Sequence, residues 1–496
     1  MNNLKLIGLD KRSLGAFRIV VGLNLIYNII KYRFGFVDAF YVDNSIVSQV
    51  LIRYKYGDSW SLINYFGDSA LAINIFLWIF LLVAVLYTIG FHSKITGILS
   101  YVFLWSVIHR NPYLVHSVEF LIEVSLLWGL FLPLNERLSF FPSKNTDDKV
   151  EVMNYGVIAI MLQIFFIYCS GTISKTGTLW QEGLAVEAVM GDRTHAGLIA
   201  PFLSSSPFLC KILSYATLYI EMVIAILIFS PWKTKLLRAF VGFSLIGLHW
   251  SLGLAMNVGT FYFSTFAFAV LVMPSMVWDR LGVPADHNFK QLRAGYFNYS
   301  DGVQKTIRYS SFVIISFLLL FIAQKNIYNW SKSSYVKDNP IVKGIAKIPT
   351  PVIGVSGTFR QHWFFFAPDP YPEMGTIMFI GTNDRGESFD LLTGKKAFQV
   401  NAVTNQINVI NEPYNHFSGS RFVFSWYIRR SYMEVPKELL RKWLSYEYKR
   451  YKKRNPTTHW PEISLLLYSN YTEYKKLRLK RTTGIQVLDS YRPSNN

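Results

Sequence analysis

A lysine at the edge of an apolar segment is the residue of this chain best placed to do chemistry. Lys175 follows an apolar run from about Val152 to Ile173 and precedes Trp180 and Gly183. An amine at such a boundary is costly to place in a membrane, and a desolvated lysine gives up its proton readily. Lys175 is therefore a candidate base near neutral pH. The competing interpretation is a snorkelling lysine that only marks the membrane interface.

Two histidines are predicted to lie at the same membrane face as this lysine. His116 opens the fourth predicted span, and His249 lies about seven residues, or ~10 Å of helix, before the end of the seventh. One base and two histidines at one membrane face can carry out proton chemistry on a lipid-soluble substrate. For His249 alone, a structural histidine inside the protein explains the sequence equally well.

Four more charged residues fall inside predicted spans. Glu119 and Glu123 share a helical face with the histidine that opens the fourth span. Glu221 lies in the middle of the sixth span and Arg18 early in the first. Each isolated charge costs at least ~2.5 kcal/mol, so we expect Arg18 or Lys175 to pair with one of the three carboxylates. Such pairs either hold the helices together or form a proton relay that tunes the base.

Composition and patterning place these residues in a membrane protein. The 496-residue chain is 51% hydrophobic and 16% charged, with a mean hydropathy of +0.24. Its repeated apolar runs of about 17 to 25 residues predict transmembrane helices. Residues 1–13 lack the features of a cleaved secretory signal. The nine predicted spans are 14–31, 71–91, 93–110, 115–134, 152–173, 209–230, 236–256, 260–277 and 306–324.

The region after the last span is basic and has a mixed pattern. Residues 326–496 hold 25 Lys and Arg residues against 13 Asp and Glu residues. Such a domain beside a membrane suggests contact with anionic lipid headgroups or an acidic peptide. Nucleic acid is the competing partner, and the predicted topology disfavours it. The predicted elements are strands at 376–381 and 422–428, a turn at 383–386 and a helix at 437–453.

The fold class follows from these two regions. We predict a polytopic α-helical membrane domain over residues 1–325 and a small extracytoplasmic α+β domain over residues 326–496. The orientation rests on the positive residues that flank the spans, which favour a cytoplasmic N-terminus and a periplasmic or lumenal C-terminal domain. Four basic residues of the first outer loop oppose this orientation: Lys31, Arg33, Arg53 and Lys55.

Other familiar site signatures are absent from the sequence. No P-loop, GxGxxG, HExxH, nucleophile elbow or CxxC occurs. Cys169 and Cys210 lack metal-ligand spacing, so no metal is expected. We expect core cysteines, and a disulfide between them is the alternative. The aromatic segment 360–370 is predicted either to lie on the bilayer surface or to pack in the core.

Several segments together resemble a known family. The chain resembles the horizontally transferred transmembrane (HTTM) domain proteins, which include the vitamin K-dependent gamma-glutamyl carboxylases. The resemblance covers about residues 8–280 and, in pattern, 355–393. The segments that carry it are Leu14–Ile19, Arg110–Pro112, Trp128–Pro133, Ser170–Gly183, His249–Phe261 and Gln361–Pro370.

This resemblance implies roles for three residues. The family's quinol-deprotonating lysine lies five residues before a tryptophan, and Lys175 matches it by its spacing to Trp180. His249 matches the histidine that precedes a Met-Asn and Gly-x-Phe pattern, and His116 matches another histidine less closely. The implied cofactor is a reduced naphthoquinone (vitamin K or menaquinol), which oxygen oxidises while carbon dioxide is fixed. The C-terminal part is much shorter than in animal carboxylases, which speaks against a propeptide-binding surface.

Two functions of different classes remain open from the sequence. The first is a quinol- and oxygen-dependent membrane enzyme, a carboxylase or an epoxidising oxygenase, with a peptide or lipid substrate in the bilayer. The second is a non-catalytic membrane protein, either an accessory that binds lipid or quinone or a component of a transporter. Turnover that depends on Lys175 separates the two.

Overall fold

The computed structural model is largely helical and ends in a small antiparallel sheet. Helices fill most of the chain up to residue 346, and the sheet is built by residues between 373 and 491. The structure describes residues 8–43, 45–142, 149–190, 197–289, 292, 300–349, 361–370, 373–400, 407–409, 424, 435–475 and 478–493.

Helices of very different lengths build the first part of the chain. The short ones lie in the linkers between the long apolar ones, together with 3₁₀ turns at Leu62–Tyr65 and Pro112–Leu114. The helices are Lys11–Tyr32 (α1), Val37–Phe40 (α2), Gln49–Tyr56 (α3), Ala70–Ile89 (α4), Ser93–Arg110 (α5), Ser117–Gly129 (α6), Tyr155–Ser174 (α7), Thr178–Gln181 (α8), Ala185–Met190 (α9), Ala200–Ser204 (α10), Pro207–Leu227 (α11), Thr234–Ala255 (α12), Phe261–Val272 (α13), Ser275–Arg280 (α14), Asp301–Trp330 (α15), Pro340–Ala346 (α16) and Lys437–Arg454 (α17).

Six helices in the described part of the chain are long and apolar enough to cross a membrane: α1, α4, α7, α11, α12 and α15. Several such helices are typical of a multi-pass membrane protein. The other three predicted spans are also helical, as α5, α6 and α13, but these helices are shorter or less apolar. The 13-residue α6 ends at Gly129 and the 12-residue α13 ends just before Pro274. Each is therefore only about 18–20 Å long, against a hydrocarbon core of ~30 Å.

Large apolar side chains are exposed along the long helices. Leu71 on α4 is 72% exposed, Phe317 on α15 is 68% exposed and Phe208 on α11 is 76% exposed. Soluble monomers rarely present such continuous apolar surface. These faces are suited to contact with lipid acyl chains, which agrees with a multi-pass membrane protein.

Consecutive long helices run between two ends of the bundle. At the end where α1 begins, called here the near end, Arg12 Nη1 contacts Asp279 Oδ1 at 2.7 Å, just after α13. At the end where α1 finishes, called the far end, Arg33 reaches Glu119 at the start of α6. At the near end β1 (Leu9–Asp10) also pairs with β2 (Glu151–Val152), just before α7. The helix α1 is therefore antiparallel to α6 and α13.

The C-terminal sheet is antiparallel and packs against the far end of the helices. Trp443 of α17 contacts the ring of Phe424 at 4.9 Å, and Phe424 contacts Phe40 of α2 at 5.1 Å. The sheet order is β6-β5-β4-β3-β7-β8. Its strands are β3 (Glu373–Thr382), β4 (Ser388–Asp390), β5 (Lys396–Val400), β6 (Ile407–Val409), β7 (Glu462–Lys475) and β8 (Arg478–Tyr491).

The predicted C-terminal elements are mostly present. The strand at 376–381 lies inside β3, the helix at 437–453 is α17, and the N–H of Gly386 donates to the carbonyl of Asn383 at 2.9 Å to close the predicted turn. The strand predicted at 422–428 falls outside the described residues except for Phe424. The long β7–β8 hairpin has no counterpart among the predicted elements.

Candidate active site in the membrane domain

A buried ion pair lies at the end of α7. Lys175 directly follows the last residue of this helix, and its Nζ donates to the two carboxylate oxygens of Glu221 at 2.7 and 2.5 Å. Lys175 is 3% exposed, and the Glu221 side chain is 14% exposed. A Cβ added at Gly171 would lie 3.0 Å from Glu221 Oε2, so the glycine gives the carboxylate its space. The expected pairing of Lys175 with an intramembrane carboxylate is confirmed.

An indole ring covers the same amine. Lys175 Nζ lies 5.2 Å from the ring centroid of Trp180, a distance typical of a cation–π contact. Trp180 is itself 4% exposed. The amine is thus held inside the protein by one carboxylate and one ring. A snorkelling lysine carries its amine to water instead, so that interpretation does not describe this geometry.

A tyrosine–histidine pair lies beside the ion pair. Tyr168 precedes Lys175 by seven residues, which places both on one face of α7 two turns apart. The Tyr168 hydroxyl and His249 Nε2 are 2.7 Å apart. Glu221 approaches Gly171, which lies about one turn beyond Tyr168 on α7. The four groups therefore form one buried cluster that contains two of the three predicted catalytic residues.

One ring nitrogen of His249 makes no hydrogen bond to the described residues. His249 is 6% exposed, and its Nδ1 has no hydrogen-bond partner among the described residues. The ring of Phe261 lies 5.5 Å from the imidazole, and Phe365 lies 5.1 Å from Phe261. A buried polar atom without a partner normally costs free energy. Aromatic rings and an unused nitrogen together suit a flat ligand that carries an oxygen.

The aromatic segment 361–370 is anchored deep among the helices. Gln361 is fully buried, and its Oε1 accepts from Gln163 Nε2 of α7 at 3.0 Å and from Asn326 Nδ2 of α15 at 3.2 Å. Trp363 Nε1 donates to the same oxygen at 2.6 Å. Gln361 and Trp363 therefore pack in the core, while His362 and Phe364 of the same segment are exposed.

The end of that segment also holds the tryptophan next to the lysine. Asp369 Oδ1 accepts the backbone N–H groups of Leu179 at 2.9 Å and Trp180 at 3.3 Å. The indole N–H of Trp180 donates to the carbonyl of Phe366 at 2.8 Å. Burial raises the pKa of the Asp369 carboxyl above its usual value, and the N–H groups of Trp180, Leu179 and Thr178 oppose that rise. We call Phe366–Asp369 the latch segment, because it fixes the cover of Lys175.

We predict that Gly177→Ala weakens this latch. The new Cβ would overlap the Asp369 carboxyl group, while the N–H of Gly177 is held by the Pro368 carbonyl at 2.9 Å. Overpacking of this kind costs about 1–3 kcal/mol, which thermal unfolding of purified protein would register. In an Asp369→Ala background, the same change should cost much less.

Gly247→Ala is the matched control, because a Cβ at Gly247 meets no atom within 4 Å among the described residues. Equal stability of Gly177→Ala and Gly247→Ala would contradict the latch.

The third predicted catalytic residue belongs to a second buried cluster. Arg33 Nη2 contacts Glu119 Oε1 at 2.6 Å, and Asn28 Nδ2 donates to the same oxygen at 3.0 Å. The backbone N–H of His116 donates to Glu119 Oε2 at 3.0 Å, while its ring lies 3.2 Å from the Ser117 hydroxyl. Both of these His116 contacts lie at the start of α6, and Glu119 links them to the end of α1.

The remaining predicted charges have partners of their own. The Tyr101 hydroxyl donates to Glu123 Oε1 at 3.1 Å. Arg18 donates to the backbone carbonyls of Leu134 at 2.7 Å and Leu138 at 2.6 Å. Arg18 therefore binds main-chain oxygens at the near end, where a carboxylate partner was one of the two expected outcomes.

Three important residues are missing from the sequence-based site. Tyr168 carries a signal that could have found it, because a spacing of seven puts it on the Lys175 face of α7. Arg33 carries none, since it looks like an ordinary basic residue after a span. Asp369 lies in the segment Gln361–Pro370, but its contact with Leu179 joins residues 190 positions apart, which no local pattern predicts.

In the described ranges there is no group of three or more His, Cys, Asp or Glu residues that could hold a metal ion. Cys169 and Cys210 are buried free thiols, as expected for core cysteines. Comparisons with protein-family models, with curated proteins and with solved structures gave no match to this chain.

Proposed function

We propose that this protein is a membrane enzyme that moves protons to and from a lipid-soluble quinol, and that it is a member of the HTTM family. The observation that carries the proposal is the buried Lys175–Glu221 pair beside Tyr168 and His249. Ionisable groups that converge inside a membrane domain are functional-site candidates by default. The reaction class is quinol-dependent carboxylation or oxygenation, on a peptide or lipid substrate.

Lys175 acts as the base in this proposal, with help from its partner. Its proton passes to a Glu221 oxygen across the 2.5 Å contact, which leaves a neutral amine and a neutral acid. The amine then takes the proton of a substrate hydroxyl. Glu221 is thus the temporary store for the proton that Lys175 must lose.

The other residues of the cluster hold the substrate. Trp180 and Phe261 offer flat aromatic surfaces for a fused ring system, and His249 Nδ1 is an unused hydrogen-bonding atom for one of its oxygens. Tyr168 fixes the imidazole through its other nitrogen. These features fit a reduced naphthoquinone, which has two hydroxyls on a flat ring system. When bound, the quinol would supply the electrons that reduce oxygen.

The topology proposed with this function has nine membrane passes. The short helices α6 and α13 complete their crossings with the turns that flank them, so the C-terminal domain lies in the periplasm or lumen and the N-terminus in the cytoplasm. The positive residues that flank the spans support this orientation. Arg33, one of the opposing residues, is 1% exposed and paired with Glu119, so it is not a free flanking charge.

A non-catalytic role is the second candidate. The observation in its favour is that Glu221 and Trp180 already satisfy the Lys175 amine. In that case the cluster is a structural pair, and the protein binds a quinone or lipid as an accessory or a transporter component. It then consumes neither oxygen nor carbon dioxide.

The deciding experiment is oxidation of reduced menaquinone or vitamin K by purified protein, with oxygen and labelled bicarbonate. We expect quinone epoxide from the wild type and none from Lys175→Ala, while Lys337→Ala, an exposed lysine at the same end, keeps full turnover. Label fixed into an added peptide makes the enzyme a carboxylase. Unchanged turnover in a folded Lys175→Ala protein contradicts the proposed base. Bound quinone without any epoxide favours the second candidate.

A further inference from the structure

A pocket lies at the near end of the helices, far from the Lys175 cluster. Its volume is about 460 Å³. The start of α12, the β1–β2 pair and the connection from α13 to α14 form its walls. Apolar side chains of Leu9, Val272 and Met276 line it together with charged groups. The pocket therefore offers both a polar and an apolar environment at the level where membrane helices begin.

The charged groups of the pocket are predominantly basic. Lys233, Lys235 and Arg238 line it from α12 and the turn before it. Of the two acidic residues in the lining, Asp10 is already engaged by three contacts with Arg12, so its charge is balanced from outside the pocket. Glu151 remains, and it lies 3.8 Å from Lys235. Arg238 is buried and donates to the Gly8 carbonyl. Lys233 and Lys235 thus face the single carboxylate of Glu151, and the excess positive charge favours an anionic ligand.

An exposed apolar stripe leads away from this basic rim along α12. Leu236, Phe240 and Phe243 are 55%, 51% and 57% exposed. They follow Lys233 by three, seven and ten residues, and their own spacing of i, i+4 and i+7 puts the three on one face of the helix. A positive group is thus followed by an apolar track of about 10 Å, from Leu236 to Phe243, at 1.5 Å per residue.

The backbone at Lys233 adds an independent observation. Lys233 directly precedes α12 with a φ of 42°, in the left-handed region that favours glycine. A long side chain at such a position costs free energy, and strained positions are often found at ligand clamps. Its amine also lies 4.6 Å from the ring of Trp232, which is 66% exposed, as expected for a tryptophan at a membrane interface.

We propose that this pocket binds one anionic phospholipid. The phosphate contacts the amines of Lys233 and Lys235, and an acyl chain follows Leu236, Phe240 and Phe243 along α12. The charge of the rim selects an anionic over a zwitterionic headgroup, and the stripe selects a lipid over a soluble phosphate. With the proposed orientation, the site faces the cytoplasmic leaflet, where anionic lipids are attracted to basic residues.

The test is lipid retention by the full chain. Protein is inserted into nanodiscs of equal parts phosphatidylglycerol and phosphatidylcholine, released, and examined by native mass spectrometry. We expect the wild type to keep one phosphatidylglycerol, and Lys233→Ala/Lys235→Ala to lose it about tenfold more readily, since each basic residue near the surface contributes to the attraction. The control is Lys94→Ala/Lys305→Ala, which removes two exposed lysines at the same end.

A second variant and a soluble competitor separate a lipid site from a phosphate site. Phe240→Asn, which leaves the basic rim intact, should weaken retention several-fold, and glycerol 3-phosphate should not displace the lipid. Three results would each overturn the proposal. They are the same loss of phosphatidylglycerol from the control variant, retention of phosphatidylcholine equal to that of phosphatidylglycerol, and displacement of the lipid by glycerol 3-phosphate. None of these readouts involves Lys175, so the site can exist whether or not the protein turns over a quinol.

Discussion

Lys175→Met is expected to destabilise the protein by about 3 kcal/mol, because it leaves the Glu221 carboxylate without its counter-charge in a mostly buried place. The wild-type amine contacts both carboxylate oxygens, and the two side chains are 4% and 14% exposed. Replacing both partners removes the uncompensated charge. The double variant Lys175→Met/Glu221→Met should therefore recover most of the lost stability.

This pair of variants also separates a base from a structural ion pair. The double variant should regain most of the wild-type stability and still produce no quinone epoxide, since no amine remains. Thermal unfolding of purified protein gives the stability, and the epoxide assay gives the turnover. Arg53→Met is the stability control, because its contact with Asp58 at 3.5 Å joins side chains that are 66% and 90% exposed. An exposed pair contributes little. A double variant that turns over quinol normally would refute a catalytic Lys175.

Arg33→Met is expected to cost more, about 3–5 kcal/mol, because both members of its ion pair are fully buried. The Arg33 and Glu119 side chains are 2% and 1% exposed. The guanidinium also donates to the Tyr41 hydroxyl at 2.7 Å, and this bond is lost too. Glu119 keeps the Asn28 amide and the His116 backbone N–H, which compensate only part of its charge.

The double variant Arg33→Met/Glu119→Met should recover only part of this loss. It removes the buried charge, but it also leaves the Asn28 amide and the His116 N–H without their acceptor. Lys31→Met is the matched control, since Lys31 is exposed two residues earlier on the same chain segment. Thermal unfolding measures the stability of Arg33→Met, of the double variant and of Lys31→Met. If Arg33→Met and Lys31→Met unfold at the same temperature, the pair does not stabilise the join of α1 and α6.

The helices were largely predictable because their signal is local. An apolar run of sufficient length forms a helix wherever it stands, and each of the nine predicted segments contains one. The ends were harder to predict from hydropathy. The segment predicted at 115–134 forms a helix only from Ser117 to Gly129, since Gly129 and Pro133 end it before its apolar residues do.

The candidate site was predictable only where residues share a helix or carry an unusual charge. Lys175 stood out as a lone amine, and its partner Glu221 as a lone carboxylate. The latch could not be foreseen, because the hydrogen bonds of Asp369 and Gln361 join distant segments that no local pattern relates. The long hairpin of β7 and β8 was missed for a different reason, since its residues alternate weakly and half of them are polar or charged.

The latch has a consequence for the order in which the protein becomes complete. A ribosome makes Lys175 and Trp180 long before Asp369, which contacts Leu179 from 190 residues further on. Until that later stretch emerges, the indole N–H of Trp180 lacks the Phe366 carbonyl that holds it, and α7 and α15 lack the Gln361 amide between them. Early helices can insert into the bilayer as they are synthesised, but the Trp180 ring that covers Lys175 is not yet held in place at that stage. A chain truncated before the latch segment would therefore insert its early helices but lack the contacts that hold Trp180 over Lys175.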